Sequence, residues 1–322
     1  MILMRMAHAS LDDLVGRWSE DARTREILVP LVRAYIRYFP VRLGKPFVWT
    51  RIVEPYLAWH PRAFRARTLF GFHLDGNSQD LIQQWIYYFG IWEPALTTWI
   101  RRRLRRGDTF VDVGANIGYY ALLGSKTVGP SGRVVAIEAS PSIAERLSGN
   151  VRSNGAGNVR TIHAAALGER SIVRLYKGHD SNSGETTIVE AFASGFECEV
   201  QAFPLHELLT DEELRSARLF KIDVEGAEYQ VIAGLDSLEK LRPDAELIIE
   251  VHPGYLAERG ETLEALLALM TSAGYAIYVV EEEWWAPAYL AGARVPSPRR
   301  FTGSANDGTV LIFSRVHADV LE

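Results

Sequence analysis

From residue 109 onward, short runs rich in Val, Ile and Phe alternate with segments of helical character, and this alternation constrains the fold more than any other feature. Strands are predicted at 109–113, 133–138, 159–163, 218–223, 246–252, 275–281 and 308–314. Helices are predicted between them, at 118–127, 140–153, 226–240 and 260–273. Strand–helix alternation requires a mostly parallel sheet with helices on both faces, because parallel neighbours need a crossover connection. Ser140 followed by Pro141 reads as a helix start, with Ser140 as the N-cap.

Two places break the rhythm. The segments "SIVRLYK" and "FECEVQAF" predict an extra hairpin within 170–203, joined by a polar loop at 178–195. A long irregular stretch at 282–307 carries Trp284 and Trp285, and insertions of this length are commonly lids or binding loops. Upstream, residues 1–60 read as helices with an aromatic and proline-rich connector, and 64–75 as a short β element. Residues 1–84 are therefore expected to form a mainly helical region for lid, substrate or dimer contacts, and 85–322 the catalytic domain.

In an open parallel sheet, ligands bind beyond the carboxyl ends of the strands where the strand order reverses. The first strand runs into "DVGANIG", whose Gly114 and Gly118 let backbone approach a ligand and whose Asn116 is expected to cap the following helix. This is not G-x-G-x-x-G, and no Walker lysine with a following Ser or Thr is present, which argues against nucleoside triphosphates. Asp112 before the turn would repel a pyrophosphate but suits the positive end of S-adenosylmethionine. Glu138, ending the second strand, stands where a carboxylate takes both ribose hydroxyls. The pair favours S-adenosylmethionine over NAD.

"DVGANIGYYALLGSKTVGPSGRVVAIEASPS", "NVRTIHAAALGE", "FKIDVEGAEYQVIAGL" and "LIIEVHP" together resemble the FkbM family of S-adenosylmethionine-dependent methyltransferases, over roughly residues 85–315. The resemblance implies a Rossmann-like class I methyltransferase fold: an α/β sheet of seven mostly parallel strands with the last antiparallel. It also implies transfer of a methyl group to a hydroxyl of a sugar, glycoside or other secondary metabolite. By it, Gly114, Ala115, Asn116 and Gly118 would form the turn beneath the methionine part of the cofactor, with Tyr119 or Tyr120 either reaching the methionine carboxylate or packing in the core. Glu138 would hold the ribose, with Ala139 and Ser140 beside it, and Ala165 would lie at the adenine edge. Ala139 stands where the family more usually has proline.

Methyl transfer to an alcohol needs somewhere for the hydroxyl proton to go. His252 is the expected base, since a histidine titrates near working pH, with Asp223 and Glu225 at the end of the fourth strand. Alternatively Asp223, Glu225, Glu250 and His252 hold a hard divalent ion such as Mg²⁺ that polarises the acceptor. Asn182, Ser183 and Asn306, in Ser/Asn/Gly-rich loops, are expected to touch the acceptor, and Trp285 to stack on a sugar ring. The competing readings are an NAD(P)-dependent oxidoreductase on a similar sheet and a noncatalytic cofactor-binding protein.

Residues 1–106 hold 17 Lys/Arg against 9 Asp/Glu, and the remainder 18 against 31. Such a basic arm suits an anionic or lipid-linked acceptor, or a dimer interface built on "ILVPLVRAYIRYF". Nucleic acid is not expected as a partner. A single cysteine, Cys198, fits a reducing compartment, and no apolar run is long enough to span a bilayer, so the expected location is cytoplasmic.

Overall fold

The computed structural model of the chain describes residues 21–39, 44–58, 60, 62–178, 186–235, 237–282, 286–291 and 296–316. Fourteen strands occur among these residues: β1 (Ala63–Arg67), β2 (His73–Asn77), β3 (Thr109–Val113), β4 (Arg133–Glu138), β5 (Val159–His163), β6 (Ala165–Leu167), β7 (Ser171–Lys177), β8 (Thr186–Thr187), β9 (Gly195–Pro204), β10 (Ala217–Ile222), β11 (Glu246–Val251), β12 (Ala276–Val280), β13 (Arg299–Arg300) and β14 (Thr309–Ser314). The main sheet has the order β13-β12-β14-β11-β10-β3-β4-β5. The strand order reverses between β3 and β10, where the chain passes from one half of the sheet to the other. β3, β4, β5, β10 and β11 run parallel, and β14 inserts antiparallel between β11 and β12. The expected seven strands are all present; the two-residue β13 adds an eighth at the edge.

Why the central strands are so apolar follows from their coverage. β3 and β10 are buried along their whole length, because helices pack on both faces. On one face, helices Pro94–Arg103, Tyr119–Val128 and Pro141–Ser153 pack with the upstream elements. On the other, helices Glu228–Ala233 and Leu263–Ser272 cover Val111, Phe220, Leu247 and Ile249. The first of these cores is continuous from Val29 to Ile312, so residues 22–104 are built into the same apolar layer as the sheet. Helix Ala22–Tyr38 starts at Asp21, whose carboxylate accepts from the Thr24 N–H at 2.9 Å. β1 and β2 form an antiparallel hairpin within the predicted short β element.

The 170–203 segment does make an antiparallel pair, β7 with β9, but it belongs to a separate four-stranded sheet in the order β6-β9-β7-β8. The helix expected over 226–240 is short, Glu228–Ala233. It ends where Gly234 packs against the Leu167 carbonyl, too close for any side chain. Described parts of the 282–307 insertion pack on the upstream region: the Tyr289 ring meets Trp85 edge-on at 4.6 Å, and its hydroxyl accepts from the Glu93 N–H at 3.1 Å. Among the described residues no helix is long and apolar enough to cross a membrane.

Candidate active site

The turn after β3 carries three left-handed residues in alternation: Gly114 at φ 78°, Asn116 at 48° and Gly118 at 94°. This backbone curls so tightly that the Gly114 and Ala115 N–H groups both donate to the Ile137 carbonyl on β4, each at 2.9 Å. Glycine is required at 114 for two reasons: the positive φ, and a Cα so close to the Asp223 carbonyl oxygen that a Cβ has no room. Helix Tyr119–Val128 therefore opens at Gly118 with no side-chain cap, which corrects the expectation that Asn116 caps it. The Asn116 N–H instead donates to Glu138 Oε2 at 2.8 Å.

Glu138 ends β4 with its other oxygen accepting from the Ser140 N–H at 2.9 Å. Burial outweighs those backbone hydrogen bonds and pushes its pKa up to about 7. Ser140 is the N-cap residue by position, yet its hydroxyl donates to Glu197 Oε1 at 2.6 Å rather than capping the helix. Glu138 faces a cleft of about 740 Å³ of empty space at the carboxyl ends of β3, β4 and β10, at the reversal of strand order. Gly114, Asn116, Glu138, Ala139, Ala165, Asp223 and Glu225 all line it, as the sequence led one to expect. Its apolar wall includes Ala166 and Leu167, from "NVRTIHAAALGE", and residues not foreseen, among them Ile82, Leu175 and Ile188. These last three carried no motif; β6, β7 and the β8 segment become a wall only through the second sheet.

The other residues expected on the donor side stand around the cleft and not in its lining: Ala115 and Gly118 belong to the turn itself, and Ser140 donates its N–H to Glu138. Asp112, Ala115, Gly118, Tyr119 and Ser140 do not line the cleft. Tyr119 is a core residue, its hydroxyl 3.2 Å from Thr97 Oγ1 and its ring against Phe72 and Tyr120. Asp112 shares the face of β3 that carries Phe110, away from Val113, and is wholly buried. There it stands beside Lys221 on β10, and burial, against the pull of Lys221, raises its pKa to about 7.

Asp112 belongs to a buried charge cluster at the same edge of the sheet. The Lys221 ammonium sits 2.8 Å from Asp223 Oδ2. Burial opposes that charge, but Asp223, Asp112, Glu93 and Glu250 more than offset it, so the Lys221 pKa is raised. Glu93, in a left-handed conformation at φ 40°, accepts from the Tyr120 hydroxyl, and burial lifts its pKa to about 7. One turn further out, His252 Nε2 lies 3.2 Å from Glu225 Oε2 and 3.9 Å from Glu250 Oε1, with Nδ1 3.6 Å from Glu228 Oε1. Burial disfavours the imidazolium, yet these carboxylates prevail and push the His252 pKa up to about 10. This carboxylate surround favours the protonated ring over the free base that the sequence reading expects of His252.

These residues do not fit a metal. Among the described residues no group of three or more His, Cys, Asp or Glu side chains is arranged to hold an ion. Lys221 and the His252 ring supply the positive charge that the expected set of Asp223, Glu250 and His252 would have asked of Mg²⁺. Asn306 lies in an exposed turn where its N–H donates to Thr309 Oγ1, at the cleft end of β14 but outside the cleft lining. Asn182, Ser183, Trp284 and Trp285 lie outside the described residues.

A pH dependence follows from these shifts. Glu93, Asp112 and Glu138 are raised from ordinary carboxyl values to about 7, so each favours folding fully below about 4 and loses that contribution as pH rises through 7. His252, raised from 6.5 to about 10, loses its contribution between those values. Both act in one direction: Tm is expected to fall steadily from pH 5 to pH 9. A Tm that rises over that range in differential scanning fluorimetry would contradict the buried-charge picture.

A parallel sheet in this order, with a glycine elbow after its central strand and an acid closing the next, is the class I methyltransferase fold. A family model described as the methyltransferase FkbM domain matches residues 112–277. The chain belongs to the FkbM methyltransferase family. It is 26% identical over 212 residues to 31-O-demethyl-FK506 methyltransferase FkbM of Streptomyces tacrolimicus, covering 57% of this chain and 78% of that one. A protein-L-isoaspartate O-methyltransferase of Ignicoccus hospitalis is 41% identical over 59 residues, 18% of this chain, and the match spans only 28% of that relative's length. A crystal structure of methyltransferase FkbM from Methylobacillus flagellatus aligns at 19% identity and TM-score 0.40, over 66% of this chain and 44% of that one.

Proposed function

We propose that this chain is an S-adenosylmethionine-dependent O-methyltransferase acting on a hydroxyl of a sugar, glycoside or other secondary metabolite. The observation that carries the reading is the cleft lined together by the Gly114 elbow and the Glu138, Asp223 and Glu225 side chains. The name of the Streptomyces tacrolimicus relative, 31-O-demethyl-FK506 methyltransferase, supports the choice of a hydroxyl. Bound S-adenosylmethionine would supply a methyl on a sulfonium, the S–C bonding electrons returning to sulfur as the acceptor oxygen takes the methyl and its hydroxyl proton goes to a base.

The residues of the chain divide that work. Glu138 accepts hydrogen bonds from the ribose diol, which favours its ionised form, so donor uptake near pH 6.5 releases a proton. The backbone at Gly114 approaches the donor without a Cβ in the way. Ala165 and its apolar neighbours enclose the adenine. Asp223 and Glu225 would hold the acceptor hydroxyl, Glu225 would take its proton, and His252, 3.2 Å from Glu225 Oε2, would fix that carboxylate in place. Residues 22–84 close one side of the cleft through Ile82.

Calorimetry with S-adenosylhomocysteine and with NADH separates this reading from an oxidoreductase, and radiolabelled methyl transfer into a metabolite extract separates it from a noncatalytic binder. Uptake of NADH but not of S-adenosylhomocysteine would end the proposal. Glu225→Gln is expected to lower kcat about 100-fold through loss of proton transfer, with S-adenosylhomocysteine affinity within about threefold of the parent. An unchanged kcat would move the base elsewhere.

A further inference from the structure

The basic run 101–106 and the upstream arginines are not used by the donor cleft, and their placement is specific. A groove is lined by Arg37, Arg67, Arg101 and Lys126, with no Asp or Glu among its lining residues. It lies at the amino edge of the main sheet. Helix Tyr119–Val128 starts at the carboxyl end of β3 and ends before β4 begins at Arg133, so Lys126 in its last turn is at the edge opposite the donor cleft. Arg37 reaches the groove with Nη2 donating to the Arg67 carbonyl at 2.5 Å, while Nε and Nη1 are buried without a hydrogen-bond partner. The guanidinium also lies over the Tyr38 ring, 5.4 Å from its centroid, and four cations with no carboxylate lining the groove beside them favour an anion there.

Apolar side chains flank these cations. Leu69, on the turn between β1 and β2, and Tyr38, ending helix Ala22–Tyr38, both line the groove and are 59% and 65% exposed. Tyr38 also ends a stripe with Ile27 and Leu31, each more than 60% exposed, on the solvent face of that helix. Val29 and Ile36 fill its inner face. The helix is therefore apolar on two sides, and only one of them is covered by described residues.

We propose that this face docks on an anionic lipid surface, with the groove cations against headgroup phosphates and Ile27, Leu31, Tyr38 and Leu69 entering the interfacial layer. Charge complementarity selects an anionic partner, and the apolar flank selects a bilayer over a free phosphate or a nucleic acid backbone, neither of which takes up aliphatic side chains. Two weak signals, a basic groove and an apolar stripe, together suffice for reversible docking. The donor cleft then faces away from the membrane.

Co-sedimentation of the full chain with vesicles tests this. Binding to vesicles of phosphatidylcholine and phosphatidylglycerol at 7:3 is expected, with little to phosphatidylcholine alone. Arg67→Ala with Lys126→Ala should weaken it about 25-fold, at roughly fivefold per basic side chain. Leu69→Ser, an exposed change, should weaken it about tenfold. S-adenosylhomocysteine affinity measured by calorimetry should stay unchanged in all variants, which shows that they are folded. Equal binding to neutral vesicles, no binding to either, or insensitivity to both sets of substitutions overturns the proposal. So does binding to duplex DNA that Leu69→Ser leaves intact while vesicles compete poorly.

Discussion

Gly114→Ala is expected to lower affinity for S-adenosylhomocysteine by about three orders of magnitude. The left-handed backbone at 114 costs an alanine about 1–2 kcal/mol. The new methyl would also fall on the Asp223 carbonyl oxygen, which belongs to the chain leaving β10 and has no flexible side chain's freedom to move aside. Relief requires prising β3 from β10 at the point where the donor must sit. Together the two effects reach about 4 kcal/mol, and Tm should drop by several degrees as well. Gly155→Ala is the control: it too has positive φ, but a Cβ there meets nothing within 4 Å. It should cost stability modestly and leave donor affinity alone. Donor affinity within tenfold of the parent for Gly114→Ala would show that the elbow does not carry the ligand.

Glu246→Ala is expected to destabilise the fold by about 3–5 kcal/mol without touching the cleft. Glu246 is fully buried at the start of β11, where its carboxylate takes a two-pronged interaction from Arg103 at 2.6 and 2.7 Å, an Arg218 contact at 2.8 Å and the Ser314 hydroxyl at 2.7 Å. Removing it takes a buried carboxylate from two guanidinium groups that are themselves about nine-tenths buried, leaving Arg218 its Asp244 contacts. The test is chemical denaturation followed by far-UV circular dichroism, with a shift in midpoint at constant slope. A loss below 1 kcal/mol would mean that water reaches the site and screens the arginines. Leu and Met replacements, which fill volume but remove the same carboxylate, should do no better than alanine.

The strands and the donor side were legible because their causes are local. Val/Ile-rich runs bounded by turns fix β3, β4 and β5 at their predicted limits, and the elbow and Glu138 are written within some 30 residues of each other. Where the structure places residues differently from that reading, the cause is long-range. Asp112 was assigned to the ligand because alternation says which face a strand residue takes but not which face holds the pocket. His252 was assigned as a base because its ordinary pKa suits one, whereas Glu225, Glu228 and Glu250 converge on it from two separate segments. Asn116 resembled a helix cap by residue type, but the ring of left-handed residues turns its N–H toward Glu138 instead. Long-range closeness decided each of these, and residue order alone does not contain it.

Ile82 precedes the first strand of the main sheet by 27 positions, yet it forms part of the donor cleft wall, on a helix whose other side feeds the shared core. The boundary that a motif search would draw, near where the family match begins, therefore passes outside a piece of the working surface. Anyone transplanting the catalytic half onto a different leading segment would inherit a cleft with a missing panel, and a shortened version beginning after residue 84 would leave the donor partly open to water. Recombination, in the laboratory or in evolution, has to carry this stretch along with the rest.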